Sequence, residues 1–149
     1  MIDFNDPDMV ELVDGFCDES DALIRELNII LEKFEGDFNR KHLETFGQVI
    51  DRIMGAAQSL GADEIGKFCE MGKMIGYKAS QANDPQLLKL ASPILLDAVE
   101  LIQTMVTHLR NKQNQTKENL PLEAFSSRLK WYLEKFKDIE RSSVAIKKK

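Results

Sequence analysis

"VIDRIMGAAQSLGA", residues 49–62, carries apolar side chains at helical spacing and closes on a glycine. Ile50, Ile53, Ala57 and Leu60 recur at steps of three and four, which places them on one face of a helix. Gly61 supplies the left-handed turn that ends such a helix without a side-chain penalty. Upstream, Leu43 and Phe46 continue the stripe, so the spacing predicts a helix over about residues 40–60.

The rest of the chain reads the same way. Met9, Val13, Phe16, Ser20, Leu23, Leu27, Ile30 and Phe34 form one stripe with a single polar interruption. Asp6 before Pro7 is an N-cap followed by a proline at the first helical position, and "EGD" at 35–37 reads as a stop. These signals predict a helix over about 7–34. A third helix, about 62–81, aligns Ile65, Phe68, Gly72, Ile75 and Ala79. Its Gly66, Gly72 and Gly76 each cost roughly 1 kcal/mol against alanine, which points to close packing on a neighbour or to local looseness.

Asp84 and Pro85 start a short turn, and Ser92–Pro93 restarts a fourth helix over about 93–111, because proline belongs in a first turn. Leu95, Ala98, Ile102, Met105 and Leu109 line it. The polar run at 112–120 reads as a linker. A fifth helix over 121–141 carries Leu122, Phe125, Leu129, Tyr132, Phe136 and Ile139, and residues 142–149 form a flexible basic tail. No alternating strand pattern persists. The expected class is all-α: an antiparallel four-helix bundle over residues 1–111 with an additional C-terminal helix, packed on the bundle or on a partner.

Composition bounds the function. The chain has 149 residues, 43% hydrophobic and 30% charged, enough for one domain with its own core. A net charge of −5 argues against nucleic acid as a partner. The acidic N-terminus has no apolar leader segment, and no apolar run looks long enough for stable membrane insertion. Three terminal lysines are a weak membrane signal. Cys17 and Cys69 make no CxxC, fit a reducing cytoplasm and read as core residues. No Glu-x-x-His pair accompanies His42 or His108, and no glycine-rich phosphate loop occurs, so neither metal nor cofactor is expected.

Asp51 lies beside core Ile50 at the edge of its stripe, with Gly47 and Gly55 one turn to either side and Gln58 beyond. Read from the residues alone, Asp51 is a solvated charge and the glycines serve packing. The motif "DRIMGAAQSLG" resembles that of histidine phosphotransfer domains, most closely the N-terminal phosphotransfer domain of chemotaxis-type histidine kinases. That motif runs histidine, two residues, lysine, glycine, small residues, then an apolar residue and glycine. Gly55, Ala56, Ala57, Leu60 and Gly61 match it. "FCDESDALIRELNIILEKFE" is similar to the family's first helix and "PILLDAVELIQTMV" to its fourth.

The departures fall on the chemistry. Asp51 stands where the resemblance places the phospho-accepting histidine, and Met54 where it places a lysine. Glu70 and Lys73, in "EMGK", stand where the chemotaxis form carries a histidine and a glutamate. The resemblance therefore implies a degenerate site with no catalytic residue, in which Lys73 faces Asp51. Its implied partner face is Gly47, Asp51, Met54, Gly55 and Gln58, and its implied partner a response-regulator receiver or a histidine kinase.

Two other functions compete. The apolar seam of the fifth helix, with Trp131 beside it, could make the chain an oligomerisation module, a homodimer through that helix. Asp51 could itself accept a phosphoryl group, chemistry that calls for Mg²⁺ and a lysine nearby.

Overall fold

The computed structural model describes residues 6–111 and 122–147, with side chains at 6–111 and 123–135. Its elements follow from the stripes. The Asp6 carboxylate accepts the Asp8 N–H at 3.0 Å, and Pro7 opens a single 3-10 turn, Pro7–Met9. That turn leads into α1 (Val10–Asp37). After it come α2 (Lys41–Leu60), α3 (Asp63–Ser80), α4 (Pro85–Arg110) and α5 (Leu122–Lys147). The fold is all-helical, with no strand among the described residues.

The α1 stripe goes inward as expected: Val13, Phe16, Leu23, Leu27, Ile30 and Phe34 are buried, and Ser20 with them. Each fully buried residue of this kind contributes on the order of 2 kcal/mol of transfer free energy. The expected stop at "EGD" does not end the helix. Gly36 faces solvent with nothing near it, and the chain turns only at Phe38, at φ 55°. The Phe38 N–H bonds the Phe34 carbonyl at 2.8 Å, and the two rings lie 4.9 Å apart. This contact sets the helix end, in place of the glycine.

Gly61 behaves as its position predicts. At φ 88° it donates to Ala57 and Gln58, and Ala62 reaches back to the Ala57 carbonyl at 2.8 Å. This is a Schellman-type closure.

The expected break before Pro93 is also overturned. Asp84 caps one continuous helix, accepting from Gln86 at 3.0 Å and Leu87 at 3.4 Å, and Pro93 sits inside that helix. Pro93 removes one backbone donor, leaving the Lys89 carbonyl without its usual partner. Both residues lie on the exposed face, where water can take over. Leu87, Leu88 and Ala91 meanwhile extend the buried stripe across the proline. Contrary to the sequence expectation, α4 is long and apolar enough to cross a membrane. It is also a core helix, with 56% of that window buried inside the fold.

α1 packs on α2 and α4, and α3 on α2, α4 and α5. α5 is fixed to the other helices by Leu129 and Tyr132, both fully buried, and by a 2.6 Å hydrogen bond from the Tyr132 hydroxyl to the Leu87 carbonyl. Arg128 adds an ion pair to Asp97 at 2.6 Å. With no glycine or proline after residue 121, α5 runs on to Lys147, so residues 142–147 extend the helix where a flexible tail was expected. The linker at 112–120, residues 148–149 and the side chains of Leu122, Phe136 and Ile139 lie outside the described residues.

Candidate functional site

The broadest helix pairing joins α2 and α3, and glycines set its spacing. A Cβ on Gly76 would stand 2.9 Å from the Leu43 carbonyl oxygen and 3.3 Å from the Gly47 nitrogen. One on Gly72 would meet Ile50 Cδ1 at 2.8 Å, and one on Gly47 would meet the Tyr77 ring at 2.9 Å. Of the two explanations for the α3 glycines, close packing holds at 72 and 76. Gly66 differs, since a Cβ there would make an ordinary 3.5 Å contact with Gln58.

This close approach brings the two helix edges together. Lys73 Nζ donates to Asp51 Oδ1 at 2.8 Å, with both side chains part-exposed. The hydrogen bond to Asp51 raises the Lys73 pKa, with further support from the negative charges of Asp51 and Glu70. Lys73 is therefore a cation at any physiological pH. Glu70 is exposed one turn before it on α3. Met54 is half-buried and packs against the core, whereas Gly55 and Gln58 are exposed. A Cβ on Gly55 would meet nothing within 4 Å, so the backbone beside Asp51 is open to an approaching surface.

Gly47 requires a correction. It is buried, and the Tyr77 ring lies over it. The bare patch expected upstream of Asp51 is filled by this chain's own side chain, so Gly47 belongs to the interior. Tyr77 is the residue that sequence reasoning missed. Its one sequence signal is its place a turn after Lys73, on the side facing α2.

The site can pair charges and present backbone. Its chemistry is otherwise sparse. No group of three His, Cys, Asp or Glu placed to hold a metal ion occurs among the described residues. His42 pairs with Asp37 at 2.9 Å at the start of α2, roughly 14 Å along the helix from Asp51. Asp37 is held below the usual carboxylate range, first by the Asn39 N–H and then by His42. His108 lies half-buried in the last turn of α4. Burial pushes the Cys17 thiol up to about 11 and the Cys69 thiol up to about 12, so neither is a thiolate nucleophile at neutral pH.

No family model, no curated protein and no solved structure matches the chain.

Proposed function

We propose that the chain is a non-catalytic signalling adaptor, a degenerate histidine phosphotransfer domain that binds a receiver domain or a kinase without passing phosphate. In this reading α1 to α4 form an antiparallel four-helix bundle with α5 as its fifth element. The closed order of helix contacts and the two- to four-residue connections between neighbours support that arrangement.

One observation carries the functional reading: the Asp51–Lys73 pair stands on an exposed face beside the uncovered backbone of Gly55. A phosphoryl acceptor needs a free nucleophile and several cationic partners for the incoming charge. Among the described residues, Lys73 is the one cation paired with the Asp51 carboxylate. The same pair presents alternating charge to a docking surface, with Met54 and Gln58 as its neighbours. The expected mechanism is occupancy of a partner, in competition with an active phosphotransfer domain.

The oligomerisation reading draws on Trp131, which is half-exposed with Lys135 5.0 Å from its ring. Against it, the Leu129–Tyr132 part of the seam is already spent within this chain.

The test is binding to a panel of purified receiver domains by interferometry, with Gly55→Arg as the blocking variant. Gly55 is exposed with open space around it, so the arginine leaves the fold intact while obstructing the face. Binding that Gly55→Arg abolishes supports the adaptor. Binding that the variant leaves unchanged moves the contact elsewhere, and no binding to any receiver rejects the receiver as partner.

A further inference from the structure

A second surface lies on another flank of α2. A groove of about 430 Å³ runs between α1 and the end of α2, lined by Leu12, Phe16, Ala56 and Leu60 with Glu11 and Glu19 at its edge. With about 3.6 residues per turn, Ala56 and Leu60 point away from Asp51, so this groove is separate from the ion-pair face. Phe16 and Leu60 are buried, but Leu12 is 61% exposed, the most of any large hydrophobic residue described, and it borders the apolar trough. Gly15 opens the wall, since a Cβ there would touch nothing within 4 Å.

Both charged residues that line the groove are acids, and the α1 side around them carries one sign of charge. Between residues 6 and 21 there are seven Asp or Glu residues and no Lys or Arg. Arg110 reaches over from α4 to neutralise two of them, Asp18 at 2.9 Å and Asp21 at 2.8 Å. Neither Glu11 nor Glu19 takes part in an ion pair among the described residues. They stand eight residues apart on α1, about 12 Å along its axis, and so mark both ends of a two-turn apolar trough.

We infer that this groove docks a basic amphipathic helix from a partner protein. Apolar side chains at helical spacing on that helix cover Leu12, Phe16 and Leu60, and lysines or arginines on its flanks meet Glu11 and Glu19. The recognition follows the helix-in-groove mode, with complementary charge setting orientation and selectivity. An acidic helix is repelled by the same field. The inference does not rest on the Asp51 reading.

The experiment uses the full chain and a fluorescent synthetic helix with a leucine face and lysine flanks, and a counterpart with glutamate in place of lysine. Anisotropy titration is expected to show binding of the lysine peptide alone. Gly15→Trp and Leu12→Ser, which fill the trough and strip its wall, each weaken binding by about tenfold or more. The double variant Glu11→Gln/Glu19→Gln weakens it by about fivefold or more and flattens its salt dependence. Glu26→Gln/Glu32→Gln, two exposed acids further along α1, leaves it unchanged, as does Asp51→Asn. Equal weakening by the control pair overturns the proposal in favour of diffuse charge attraction. Unchanged binding by Gly15→Trp and Leu12→Ser also overturns it. Binding seen only after Ile2→Ser/Phe4→Ser overturns it too, and assigns the groove to the chain's own first residues.

Discussion

Gly76 and Gly66 lie on the same helix, ten residues apart, and the same substitution at each is expected to change stability in opposite directions. An alanine replaces a helical glycine with a gain of roughly 1 kcal/mol, because the unfolded chain loses freedom and the helix gains propensity. At Gly66 that gain is kept: the new methyl makes a 3.5 Å contact with the aliphatic part of Gln58. At Gly76 the methyl stands 2.9 Å from the Leu43 carbonyl oxygen and 3.3 Å from the Gly47 nitrogen. Both are backbone atoms of α2, so no side chain can swing aside and the two helices must part. Overpacking of this kind costs about 1–3 kcal/mol, which outweighs the propensity gain. The net expectation is a loss of about 1 kcal/mol for Gly76→Ala and a gain of about 0.5–1 kcal/mol for Gly66→Ala. Urea denaturation followed by circular dichroism reads this directly: with a slope of about 2 kcal/mol/M, the midpoints should move about 0.5 M down and up to 0.5 M up. Midpoints that rise together would refute the claim that glycines fix the α2–α3 distance.

Three further expectations follow from the described packing. Pro93→Ala restores a backbone donor to the exposed face of α4 and should raise stability by about 2 kcal/mol in the same denaturation assay, part of the helix-interior proline cost being offset by the looser unfolded chain. Tyr132→Phe removes the buried hydroxyl that ties α5 to the Leu87 carbonyl and should cost about 1 kcal/mol, with α5 amides exchanging faster by hydrogen-exchange mass spectrometry. The Cys17 and Cys69 thiols are raised by burial, so their stabilising contribution is whole below the ordinary thiol value of 9.0 and is lost as pH climbs toward about 11 and about 12. A thiol reagent at neutral pH should therefore modify neither cysteine in the native chain and both after denaturation; rapid native labelling would show that the described burial is wrong.

Local patterns carried most of the fold. The stripes on α1, α2 and α3 could be read because their period is set by helix geometry, and Asp6, Gly61 and Asp84 because capping chemistry is short-range. The misreadings came from tertiary context. Gly36 reads as a stop, but a solvent-facing glycine costs too little to end the helix there, and α1 closes instead at the left-handed Phe38, packed on Phe34. Pro93 looked like a start, but the buried stripe on both sides of it outweighs one missing hydrogen bond. At the candidate site, the family resemblance implied that Lys73 faces Asp51 once α2 and α3 were taken as neighbours, and the two side chains meet at 2.8 Å. The burial of Gly47 was not legible, because it depends on where the Tyr77 ring falls across a helix interface. The α1–α2 groove is not legible in the sequence for a similar reason: Leu12 lies off the stripe, and only packing makes it border a trough.

The measurement that bears most directly on the adaptor reading is a transfer assay with a receiver domain carrying labelled phosphate, Mg²⁺ and the full chain, scored at once for complex formation and for label. The account predicts a complex that Gly55→Arg disrupts and no label on the chain at any time. Label that appears on the chain and vanishes in Asp51→Asn would contradict it, and would make this face a working aspartyl acceptor.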